Sequence, residues 1–119
     1  MARTEIEVGR DLRAAAADVA EAWKAAAAGS SVAGSDRILF RDWGALCAVL
    51  TPRRYELLRH VRHTPQAGIR ALARALDRDV RRVHEDVVAL AELGLILRRV
   101  DGGLSSEVDE IVSRIRVAA

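Results

Sequence analysis

The 119 residues amount to one domain's length, enough to bury a single core. With 19 basic side chains against 17 acidic ones the net charge is only +2, and half of the chain is hydrophobic although only 3% is aromatic. Such a core is built from Ala, Leu, Val and Ile, which favours helices over a sandwich. A single cysteine, Cys47, excludes an internal disulfide and the secreted scaffolds that depend on one. No apolar run reaches the roughly eighteen residues of a membrane span, and no signal-peptide pattern opens the chain. A cytoplasmic protein with no membrane contact is expected.

In chain order, Arg3–Val8 (RTEIEV) alternates polar and apolar residues, a pattern that predicts a short strand with Ile6 and Val8 on one side. Gly9 breaks it. Asp11 caps a predicted helix to Ala28, with Leu12, Ala16, Val19 and Trp23 at helical spacing. Its apolar face is thin, so it must dock either on its own domain or on a second copy; dimerisation is the expectation. Gly29–Asp36 reads as a loop and Arg37–Phe40 as a short β-leaning stretch. Asp42 is positioned to cap a helix through Trp43, Leu46, Val49 and Leu50, with Trp43 and Trp23 as core anchors rather than base-stacking platforms. Thr51-Pro52 starts the next helix, the hydroxyl as cap and the proline where its missing N–H costs nothing. Tyr55, Leu58 and Val61 are its expected buried side, leaving Arg53, Arg54, Arg59 and Arg62 outside.

After a turn at Thr64–Gly68 come two helices separated only by Asp77-Arg78-Asp79. Ile69, Leu72, Ala73 and Leu76 form one apolar stripe, and Val80, Val83, Val87 and Leu90 another. The second stripe leaves Arg81, Arg82, Glu85 and Ala89 facing solvent. Two helices joined this tightly, the second with an arginine-rich outer face, make a helix-turn-helix with Val80–Leu93 as the recognition helix. Gly94 ends it. Leu95–Val100 (LILRRV) reads as a strand, Asp101-Gly102-Gly103 as a tight turn and Leu104 as the return strand, which together form a wing. Val108–Val117 predicts a further strand with Ile111, Ser113, Ile115 and Val117 on one face. The fold expected is mainly α with small β, a winged helix-turn-helix over residues 37–119 preceded by an N-terminal helical extension over 1–36.

The charge follows this division. Residues 51–100 carry eleven Arg against six Asp and Glu, while residues 1–50 and 101–119 are net acidic. Positive charge concentrated at the helix-turn-helix suits a polyanion, because arginines displace condensed counterions from phosphate.

Two runs, FRDWGALCAVLTPRRYELLRHV and IRALARALDRDVRRVHEDVVALAELGLILRRVDGG, resemble the prokaryotic winged-helix proteins described as MarR-like or antitoxin-like. LTPRR, LARALDRDVRRVHEDV and LGLI carry the resemblance over roughly residues 37–117, with a looser match at EIEVGRDL. It implies a dimeric transcriptional regulator that represses its own operon and is often encoded beside a small toxin. Two departures stand out: Gly68 where relatives often have a serine cap, and Ser106-Glu107 where they often have a proline.

The residues expected to carry binding are few. Arg81 and Arg82, in the first turn of the recognition helix, match the paired acceptors of guanine. Glu85 suits cytosine N4 or an ion pair with Arg81 or Arg82. Arg78, in the turn, and Arg98 and Arg99, on the wing, are placed for phosphate. Arg70 and Arg74 face either the DNA backbone or plain solvent. His84 and Asp86 flank the buried stripe, where packing or support is favoured over base contact. His60, His63, Cys47 and His84 are the only soft metal ligands and lack a four-coordinate arrangement, so neither metal nor cofactor is expected. No catalytic constellation is visible. The partners expected are double-stranded DNA, a second copy of the chain and, on the antitoxin reading, a small toxin protein. The rival function is a protein-interaction module that neutralises a partner protein.

Overall fold

A computed structural model describes residues 2–8, 35–115 and 117. Among them lie four helices and two small sheets, a mixed α/β arrangement in two compact units. One unit comprises residues 1–46 and 110–119, the other residues 47–109. The helix expected from Asp11 to Ala28, with Trp23 and its role in dimerisation, lies outside the described residues.

The first unit is a three-stranded parallel sheet. Strand β1 (Arg3–Val8) is central, flanked by β2 (Ser35–Phe40) and β5 (Glu110–Ile115). Parallel neighbours need long crossover connections, and the chain between each pair supplies them. Side chains alternate across a strand: Thr4, Ile6 and Val8 are buried while Arg3, Glu5 and Glu7 point the other way. On that second face Arg37, opposite Glu5 in register, lies 3.7 Å from both Glu5 and Glu7, and Arg3 lies 3.3 Å from Glu5. The sheet takes in β2 and β5, so the observed division runs differently from the boundary drawn at residue 36. A non-sequential sheet gathers strands that a linear reading separates.

Helix α1 (Trp43–Val49) starts where Asp42 accepts the Ala45 N–H at 2.8 Å. Trp43, expected as a core anchor, is 53% exposed. Seven residues make under two turns, and Leu46 is the only one buried.

The second unit contains the remaining helices. Thr51 caps α2 (Pro52–His63) by accepting the Arg54 N–H. Its buried residues are Leu57, Leu58 and Val61, whereas Tyr55 is half-exposed beneath the Arg59 guanidinium. At about 100° per residue, the stripe centred on Leu57, Leu58 and Val61 passes through Arg54 instead of Tyr55. The i, i+3, i+4, i+7 set therefore begins with an arginine, and Arg54 is drawn inward rather than left outside.

Helix α3 (Ile69–Leu76) begins at Gly68 without a side-chain cap. Asp77 ends it at φ 52°, with its N–H on the Arg74 carbonyl and the Arg78 N–H on the Ala73 carbonyl, a Schellman closure built on a left-handed residue. Helix α4 (Val80–Glu92) ends the same way, with Gly94 at φ 77°, its N–H on Ala91 and the Leu95 N–H on Leu90. Leu72, Ala73, Val83, Val87 and Leu90 are buried between these helices and their neighbours. Val80, at the exposed first turn of α4, lies outside the buried stripe that its spacing predicted.

The strand expected over Leu95–Val100 is shorter. Leu95 and Ile96 plug the core, and only Leu97–Arg98 (β3) pairs, antiparallel to Leu104–Ser105 (β4). The link between them is the five residues 99–103: Arg99 N–H donates to Gly103 O, Gly102 N–H donates to Arg99 O, and Gly102 takes φ 94°. This is a turn closed by a left-handed glycine. The segment expected only to turn, Thr64–Gly68, adds a bridge from Gln66 to Leu104. At Ser106-Glu107, the departure from the resembled family's frequent proline, Ser106 donates its hydroxyl to the Leu95 carbonyl at 2.8 Å and accepts the Val108 N–H. Arg62 then holds the exit through Val108 O and Asp109.

Candidate nucleic-acid interface

Five arginines line the surface around the starts of α2 and α4. Asp79 caps this helix by accepting the Arg82 N–H at 3.2 Å, which satisfies one of the donors that a helix N-terminus leaves open. The buried stripe of α4 is Val83, Asp86, Val87 and Leu90, so Arg81, Arg82 and Glu85 necessarily face outward, and all three are exposed.

The starts of α2 and α4 line an open cleft of about 610 Å³, whose walls are Thr51, Arg53, Arg54, Arg78, Asp79, Arg81, Arg82, Glu85 and Asp86. Five guanidinium groups face three carboxylates. At its base Asp86 receives Arg54 Nε at 2.9 Å and Arg78 Nη2 at 2.7 Å, and Arg54 Nη1 also donates to the Val49 carbonyl at 2.8 Å. A carboxylate in the buried stripe of α4 would be strongly unfavourable alone; two charge-assisted contacts compensate it. The pairing fixes α4 against α2 and the inter-helix turn together. Among the described residues, Arg53, Arg81 and Arg82 make no ion pair, so open positive charge sits at the rim, while the base, two guanidinium groups on one carboxylate, keeps a single net positive charge.

Of the residues singled out from sequence, the structure brings Arg78, Arg81, Arg82 and Glu85 together. Arg78, expected at a phosphate, is instead three-quarters or more enclosed and engaged by Asp86. Glu85 pairs with neither Arg81 nor Arg82 among the described residues. Arg70 is exposed on α3 and does not line the cleft; Arg98, on β3, and Arg99, in the hairpin loop, are exposed but elsewhere. His84 is exposed, and Asp86 has the supporting position expected of it. Reading the sequence missed Arg53 and Arg54 as part of the site. Arg54 was detectable, because it completes the apolar stripe of α2 as Asp86 completes that of α4. Among the described residues no three His, Cys, Asp or Glu side chains converge as a metal site, and no helix is long and apolar enough to cross a membrane. The buried Nε2 of His60 has no hydrogen-bond partner among them.

No curated protein and no solved structure matches the chain. One family does: its model aligns with residues 49–113, the segment running from the end of α1 through α2, α3, α4 and the hairpin into β5, and it covers just over half of the sequence. The chain belongs to the HVO_A0114 family.

Proposed function

We propose that this protein is a winged helix-turn-helix regulator that binds operator DNA and represses transcription, with α4 as the recognition helix and the β3–β4 hairpin as the wing. The observation that carries this reading is the exposed Arg81–Arg82 pair, without an ion-pair partner among the described residues, on the first turn of an amphipathic helix whose opposite face is buried. That turn is the part of a recognition helix that enters a major groove, and arginine matches the two acceptors of guanine there. Arg53 at the rim of the cleft, with Arg98 and Arg99 on the hairpin, supplies phosphate contacts that set position without reading bases. Glu85, free of both neighbouring arginines, is available to accept from cytosine N4.

Asp86 supports the same reading from beneath. By holding Arg54 and Arg78 it aligns the start of α4, and it screens the two enclosed guanidinium groups without neutralising the rim. The test is a gel shift of the full chain on DNA from upstream of its own reading frame and on random DNA of equal length, at two salt concentrations. A retarded band on the upstream fragment that persists at the higher salt, where random DNA is released, supports the reading. Indifference to both DNAs at low ionic strength overturns it.

A further inference from the structure

The outer edge of β5 is open. Strand β1 occupies one side of it, and the sheet order β2-β1-β5 leaves no neighbour among the described residues on the other. An open edge is a template for another strand, and what it accepts depends on its side chains. On the face shared with Arg3, Glu5 and Glu7, β5 presents Glu110, Val112 and Arg114. The remaining charges of this face are already engaged, Arg3 by Glu5 and Arg37 by both Glu5 and Glu7. Glu110 and Arg114 are exposed and make no ion pair among the described residues.

Their spacing is what matters. Glu110 and Arg114 stand at equal distances on either side of Val112, with opposite charge. Residues directly opposed in an antiparallel pair point to the same face, so a strand meeting its own copy about a two-fold axis pairs only residues of equal parity. With the axis through Val112, Glu110 faces Arg114 of the partner subunit, and the symmetry repeats the contact. Ile111 then lies opposite Ser113 of the partner subunit and diagonal to Ile115 of the partner subunit, within reach for apolar contact. Ile115 is 43% exposed in the single chain. Like charges at these positions would repel across such an axis and protect the edge; the pattern here attracts. The other edge offers no equivalent, since Arg37 of β2 is turned to Glu5 and Glu7.

We infer that β5 is the dimerisation edge of this protein, pairing antiparallel with β5 of a second copy to join two three-stranded sheets into one of six. The inference goes beyond the DNA-binding reading and does not depend on it.

Sedimentation equilibrium of the full chain without DNA tests it. The wild type is expected at twice its 13.0 kDa mass. Glu110→Arg and Arg114→Glu each place like charges across the axis twice and are expected to weaken the dimer by about tenfold or more. The double variant Glu110→Arg/Arg114→Glu restores complementarity and is expected to recover the wild-type dimer, which also controls for folding. A monomeric wild type, single variants that dimerise like the wild type, or a double variant no better than the singles overturns the inference. A gel shift on the same samples reports separately on DNA binding.

Discussion

Arg54 and Asp86, thirty-two residues apart in sequence, meet at 2.9 Å where the buried stripes of α2 and α4 face one another. Each is the one charged member of an otherwise apolar set, and each occupies a position that a leucine would fill without consequence for helix formation. A charged pair at such a place does not maximise stability; replacing it by apolar residues of similar volume is often neutral. Its effect is geometric. Hydrogen bonds with fixed directions hold the first turn of α4 at one orientation, with Arg78 drawn into the same carboxylate at 2.7 Å.

Removing that carboxylate's charge should therefore be costly. Asp86→Asn is expected to lower stability by about 2–3 kcal/mol, since it leaves two enclosed guanidinium groups without their counter-charge. Urea denaturation measures this, and a double-mutant cycle with Arg54→Met should show a coupling of about 1 kcal/mol or more. Additive effects would mean that the two side chains do not interact.

The division of labour proposed for a DNA-binding surface gives a second prediction. Arg82→Ala should relax base preference at one position, losing about 1–3 kcal/mol of discrimination. Arg53→Ala and Arg99→Ala should instead weaken binding to all sequences alike and reduce the salt slope by about one unit each. Titrations on specific and random DNA at several salt concentrations separate the two behaviours. Equal losses on both DNAs for all three variants contradict the assignment.

Asp77 closes α3 in a left-handed conformation at φ 52° that favours glycine. Asp77→Gly is expected to stabilise the protein by about 0.5–1 kcal/mol, and Gly94→Ala at φ 77° to destabilise it by about 1 kcal/mol or more. Thermal melts of the two variants should shift in opposite directions. A fall in stability for Asp77→Gly would show that the aspartate contributes more than its backbone shape.

Ser106 holds two parts of the hairpin's base together. With the hydroxyl gone, Ser106→Ala leaves the Leu95 carbonyl unsatisfied in a buried setting and releases the Val108 N–H. A loss of about 1–2 kcal/mol is expected, along with faster amide exchange around Leu97–Ser105. Unchanged exchange there would place the hairpin's support elsewhere.

Particular residues show how much of this was legible in advance. The stripe of α3, that of α4 apart from Val80, the Thr51-Pro52 start, the Asp42 cap and the Gly94 stop are local signals that depend on neighbours within one or two turns, and each stands where its chemistry put it. Strands β1 and β5 were readable as alternation. That they lie side by side in parallel was not, because pairing between Arg3 and Glu110 leaves no trace in either segment alone. Leu95 and Ile96 misled for a related reason: an apolar pair looks the same whether it enters a ladder or plugs a core. The positions of Arg81, Arg82 and Glu85 followed from helical period. The engagement of Arg78 did not, since it depends on Asp86, eight residues further on, being turned inward.

The parallel sheet also bears on how the molecule is made. Its central strand, β1, is translated first and hydrogen-bonds to β5, roughly a hundred residues downstream. A growing polypeptide can form the α2–α4 region from nearby contacts, but β1 must wait for its second neighbour until β5 has been made. Until then β1, with one apolar and one charged face, stands half-paired, and any nascent copy on the same polysome offers it the missing edge.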